Sequence, residues 1–176
     1  MSDILTPAQT CGPLFGFALF PEGLNQAVDP QAPNAVTIEG SLLDGAGESV
    51  GYGSFIEFWS EGQAVRARTL DGRYQVTLAR PAAQTIAGAG NGAVTLAPSL
   101  NITLYTRGLA RSLVTRLYFP DEVQANATDP VLASVPAEFR NRLIACPSPQ
   151  PGRLVYDIHL QGPQESVFFA LQAPTA

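Results

Sequence analysis

Apolar and polar residues alternate with a period of two through most of this chain, and that period places one face of a strand inside and the other outside. In "SLNITLYTRGLARSLVTRLYF", residues 99–119, Leu100, Ile102 and Leu104 alternate with Asn101, Thr103, Tyr105 and Arg107 until Gly108 breaks the run. Comparable runs predict strands over about 36–43, 54–60, 64–70, 73–79, 100–107, 112–119, 153–160 and 166–171. Asp-Gly pairs in "DGAGES" (44–49) and "LDGR" (70–73) mark turns. The second is short enough for a hairpin, so antiparallel pairing is expected. About eight short strands punctuated by Gly and Pro imply an all-β chain folded as a β-sandwich.

Helical signal is confined to residues 119–145, where Pro120 and Pro136 sit at favourable starts and Asp121, Glu122 and Glu138 complement a helix dipole in first turns. Short helices flanking the sandwich are expected there. Residues 21–35 and 81–98 read as loops. The glycine-rich "AGAGNG" in the second precedes a strand and not a helix N-terminus, so it is no phosphate cradle.

A length of 176 residues suits one domain, 1–176, and 45% hydrophobic residues suffice for a core without metal or disulfide staples. The net charge of −5, with ten Arg and no Lys, argues against a nucleic-acid or acidic-membrane partner, which would need a dense basic face. "MSDILTPAQT" has no basic leader region, and "LFGFALF" is too short to span a bilayer, so a soluble cytoplasmic chain is expected. Cys11 and Cys146 share no metal or redox spacing and read as two reduced thiols. The sequons at 101–103 and 126–128 carry no weight in a chain that is not secreted.

Self-sufficient catalysis finds little support. His159 is the lone histidine, on an alternating stretch beside Asp157, and no G-x-S-x-G elbow accompanies it. It reads as a partly exposed strand residue. No two ligand-type residues share metal spacing. Tyr52, Tyr74, Tyr105, Tyr118 and Tyr156 are scattered and read as amphipathic core or rim residues. The residues alone lead to a binding or structural module.

Three longer stretches carry a resemblance. "TPAQTCGPLFGFAL" (6–19), "LYTRGLARSLVTRLYFPDEVQANATDPVL" (104–132) and "YDIHLQGPQESVFF" (156–169) together resemble intradiol ring-cleaving dioxygenases. Within that family they resemble the alpha chains of the enzymes that cleave 3,4-dihydroxybenzoate. The resemblance implies an enzyme subunit that is inactive alone and assembles with a beta chain into a higher alpha-beta oligomer. That assembly would use O₂ to form 3-carboxy-cis,cis-muconate, a step of aromatic catabolism. Fe(III) would be bound by the partner beta chain, through two tyrosines and an H-x-H pair of histidines, and not by this chain.

The H-x-H positions fall here on Asn101 and Thr103. The segment bearing one tyrosine ligand is shortened to "SEGQAVRARTL" after Trp59, and no tyrosine follows "LARP" (78–81), where the other would lie. The resemblance assigns Thr10, Gly12 and Pro13, on an N-terminal arm of about 1–20 that contacts the partner, and Arg107 to the substrate pocket. Cys11 and Leu14 depart from the commoner family residues. An arginine suits a substrate with a carboxylate and two ionisable hydroxyls. The rival reading is a transthyretin-like binding or carrier module without catalytic activity.

Overall fold

The computed structural model describes residues 19–51, 53–87 and 92–170. The alternating segments become β1 (Ala35–Leu43), β2 (Ser54–Ser60), β3 (Gln63–Arg68), β4 (Arg73–Ala79), β5 (Gln84–Ala87), β6 (Ala93–Leu96), β7 (Ser99–Thr106) and β8 (Leu113–Tyr118). Three short strands follow, β9 (Cys146–Pro147), β10 (Arg153–Val155) and β11 (Ile158–His159). One sheet centres on β1, which pairs antiparallel with β4 and parallel with β10 and β11, while β9 extends it beyond β10. The other runs β3-β2-β7-β8, antiparallel throughout.

Between them lie Ile38, Leu42 and Val76 from the first sheet, and Ile56, Phe58, Leu100, Ile102 and Leu104 from the second, all fully buried. Burial of each such side chain stabilises the fold by about 1.5–3 kcal/mol before entropy is counted. The sandwich expected from the sequence is therefore present.

Several local expectations are corrected. The "LDGR" turn forms: Leu70 and Arg73 exchange two backbone hydrogen bonds of 3.0 and 2.8 Å, with Asp71 and Gly72 both at positive φ. It is not followed by a paired hairpin, because β3 and β4 diverge into different sheets. Residues 81–98 are not all loop. They hold the β5–β6 hairpin, whose strands are largely solvent-exposed and so show little apolar alternation.

The 153–160 strand breaks at Tyr156 and Asp157, where Tyr74 donates its hydroxyl hydrogen to the Tyr156 carbonyl across Gly40. Residues 166–170 form no strand, and their hydrogen bonds to the β8 edge are Phe169 N–H to Val114 O (2.8 Å) and Thr115 Oγ1 to Val167 O (2.6 Å).

The helices also start elsewhere. Pro120, Asp121 and Glu122 precede α1 (Val123–Thr128), and the two carboxylates instead bind Arg80 at 2.6 and 3.0 Å. Arg80 holds the exposed Asp121 carboxyl below its ordinary pKa. Pro130 opens α2 (Pro130–Ala133) behind the buried cap Asp129. Pro136 caps a 3₁₀ segment, Ala137–Leu143, with Glu138 in its first turn as expected. Among the described residues, no helix is long and apolar enough to cross a membrane.

Candidate functional site

Alternation on β7 sends Leu100, Ile102 and Leu104 inward, and the same geometry puts Asn101, Thr103, Tyr105 and Arg107 on the outer face of the β3-β2-β7-β8 sheet. Register completes that face. Phe55 stands opposite Tyr105, Glu57 opposite Thr103, and Trp59 opposite Asn101 on β2, while Arg68, Arg66 and Ala64 follow on β3. Arg116 on β8 stands opposite Asn101 from the other side.

Residues 19–25, the described end of the arm and the start of the loop after it, close one end of this face. Leu24 O accepts from Arg66 N (2.7 Å) and Asn25 O from Thr77 N (2.9 Å), so the loop seals the seam between the β3 and β4 edges. Phe20 then meets the Phe55 ring edge-on at 5.6 Å, and Phe55 stacks on Tyr105 at 4.5 Å. Arg66 is held by Glu57 at 2.6 Å and by Leu19 O at 3.0 Å.

Arg107 lies one residue past β7, two residues beyond Tyr105 on the same strand line. Its N–H donates to Gly53 O at 3.2 Å, and Gly108 turns the chain away at φ +93°. The side chain is exposed and makes no ion pair or side-chain hydrogen bond among the described residues. Thr10, Gly12, Pro13, Cys11, Leu14 and Tyr52 lie outside the described residues.

At the other end of the face is a cleft of about 480 Å³ lined by Trp59 and Glu61, Pro81 and Gln84, and Asn101 and Arg116. The three places where the resemblance puts lost metal ligands thus converge: the stretch after Trp59, the stretch after "LARP", and Asn101. Their polar atoms are engaged by one another. Arg116 Nε donates to Asn101 Oδ1 at 3.1 Å, and Trp59 Nε1 donates to Thr103 Oγ1 at 3.3 Å. Sequence reasoning missed Arg116, since only the β7–β8 register brings it to Asn101.

The described tyrosines are structural, apart from the rim residue Tyr105. Tyr74 is buried and its pKa is raised well above the ordinary value, first by desolvation. Burial likewise pushes the Tyr156 phenol up to about 12, while its hydroxyl donates toward Arg116 O and Arg142 O at 3.2 Å each. Tyr118 is raised by burial against an opposing pull from Arg116, and its hydroxyl donates to Asp129 at 2.9 Å. All three stay neutral at physiological pH.

His159 is half-buried on β11, whereas Asp157 spends Oδ1 on Ser41 N–H at 2.7 Å, so no catalytic pair forms between them. Cys146 is a free exposed thiol. Among the described residues no three His, Cys, Asp or Glu side chains converge. A larger cleft of about 770 Å³ runs beneath the arm, but Arg66 and Asp157 in its lining already have partners.

This sandwich is the fold of intradiol dioxygenases. It matches the dioxygenase domain of a dioxygenase–carbohydrate-binding fusion from Streptomyces sp. SirexAA-E with a TM-score of 0.52 and 21% identity, over 89% of this chain and 98% of that one. Against hydroxyquinol 1,2-dioxygenase from Pseudomonas putida DLL-E4 the TM-score is 0.55 at 18% identity, over 90% of this chain and 67% of that one. In sequence the chain is 36% identical to the protocatechuate 3,4-dioxygenase alpha chain of Burkholderia cepacia, over 93% of this chain and 96% of that one. It is also 36% identical to the alpha chain from Pseudomonas putida, over 93% and 95%. No protein-family model matches. The chain belongs to the protocatechuate 3,4-dioxygenase alpha-chain family. Nothing in these likenesses favours a transthyretin-like carrier.

Proposed function

We propose that this chain is the non-iron alpha subunit of an oxidoreductase that cleaves 3,4-dihydroxybenzoate with O₂ to 3-carboxy-cis,cis-muconate, completing a site whose Fe(III) is bound by a partner beta chain. The observation that carries the reading is the Asn101–Arg116 contact. Ferric iron needs anionic or neutral donors turned toward it. Here the Asn101 oxygen is turned to a guanidinium, and a fixed cation beside the metal position would repel a second one. The raised phenols of Tyr74, Tyr118 and Tyr156 offer no phenolate to offset ferric charge. The residues present therefore do not fit the metal, and ring opening belongs to the partner.

What this chain contributes is wall and field. Arg107 stands on the outer face, on the strand line of Tyr105 in the Tyr105–Phe55–Phe20 aromatic run, and has no ion pair among the described residues. A guanidinium there suits an anionic substrate through charge-assisted hydrogen bonds. Thr10, Gly12 and Pro13 on the arm of about 1–20 are assigned to the same pocket, glycine allowing backbone to approach an aromatic ring. In this reading residues 1–176 form one sandwich domain with that arm, and alpha-beta pairs build a larger oligomer.

The test is oxygen uptake with 3,4-dihydroxybenzoate. The chain expressed alone is expected to be inactive. Co-expression with a beta chain that carries two tyrosines and an H-x-H in the same fold should give ring cleavage. Ring cleavage by the purified chain alone would overturn the reading.

A further inference from the structure

Asn126 leaves a buried acceptor unused. The residue is only 7% exposed, and its Nδ2 donates to Phe119 O at 2.8 Å. That bond fixes the amide and turns Oδ1 the other way, where it is shut off from solvent and has no hydrogen-bond partner. A buried oxygen without a donor is costly, and a donor brought to it relieves that cost.

Asn126 also lines a cleft of about 250 Å³ beside α1 and α2, with apolar walls from Pro120, Leu132 and Ile144. Val123 and Ala127, both exposed on α1, stand at its rim. Arg140 completes the polar lining. Its Nε and Nη2 donate to Val135 O and Ala133 O at 2.8 and 2.9 Å, which leaves Nη1 without a partner among the described residues. One acceptor and one donor thus border a small apolar space. An amide offers the complementary pair, an N–H and a C=O, whereas a carboxylate would set a lone pair against Asn126 Oδ1 with no proton between them. The volume is below the usual range of small-molecule sites, so only a short apolar group fits beside the amide. We infer that this cleft binds a small aliphatic carboxamide, whose N–H donates to Asn126 Oδ1 and whose carbonyl accepts from Arg140.

Isobutyramide is titrated against the full-length chain, in whatever assembly it purifies, and binding is read by ligand-detected NMR. Saturable binding in the millimolar range is expected. Methyl isopropyl ketone, which has the same shape but a methyl group where the amide has its N–H donor, should bind about three- to tenfold more weakly, the worth of one hydrogen bond. Isobutyrate should bind no better than the ketone. Ala127→Phe closes the rim from an exposed position and should abolish binding with the fold intact. Asn126→Leu removes the acceptor, so amide and ketone should then bind alike, and the Ala127→Phe protein decides the matter if the leucine variant does not fold. No saturable binding, a ketone or carboxylate that binds as tightly as the amide, or unchanged binding in folded Ala127→Phe protein would each overturn the inference.

Discussion

Arg107 owes its position to one residue of phase. Strand β7 has three fully buried leucine and isoleucine side chains at even positions, so position 107 must continue the outward line, and Gly108 ends the strand before the line can be covered. In the co-expressed complex Arg107→Ala is expected to leave iron content unchanged and to lower kcat/KM by about ten- to a hundredfold, the value of one charge-assisted contact. Arg107→Lys should fall between, because an ammonium cannot reproduce the planar two-donor fork. Unchanged steady-state constants for the alanine variant would make Arg107 an ordinary surface residue. That outward phase was legible from alternation alone. Arg116 was not, because the same alternation marks it as solvated, and only the register with Asn101 shows what it faces.

At the scale of elements, the sandwich depends on how β1 meets its parallel neighbours. A Cβ on Gly40 would collide with the Tyr156 carbonyl and stand 2.9 Å from the Tyr74 hydroxyl. Gly40→Ala is therefore expected to destabilise the fold by on the order of 3 kcal/mol, read as a lower denaturant midpoint at unchanged slope. A midpoint equal to wild type would show that β1 and the 156–157 break can separate freely.

Burial of the Tyr156 phenol gives a pH dependence. The Tyr156 pKa in the folded chain, about 12, lies above the unfolded value near 10. Its contribution is complete below pH 10 and is lost as pH rises towards 12, amounting to about 3 kcal/mol. Burial raises Tyr74 and Tyr118 too, so both act in the same direction. Denaturant midpoints should hold steady from pH 7 to about 10 and then fall steeply, with tyrosinate absorbance appearing together with unfolding.

Period two located β2 and β4 without error in their bounds, although each carries three consecutive buried residues that interrupt the alternation. It failed for β5 and β6, which have no buried side chain to write a pattern. It also failed at 166–170, where apolar residues pack on the sheet edge without joining a ladder. Asp121 and Glu122 looked like helix-start residues because proline preceded them, but pairing with Arg80 is what holds them.

The whole molecule presents one outer sheet face on which Arg107, the aromatic run and the Arg116 cleft lie together, with Trp59 and Tyr105 partly exposed. A surface of that kind suits a lasting partner, and permanent interfaces commonly bury more than about 2,000 Å². In the proposed function this face serves a metal held by another chain. Its most direct test is iron analysis of the chain expressed alone and of the complex co-expressed with the beta chain, both from iron-supplemented cells. No stoichiometric iron is expected in the chain alone, and one iron for each alpha-beta pair in the complex. Stoichiometric iron in the chain alone would contradict it.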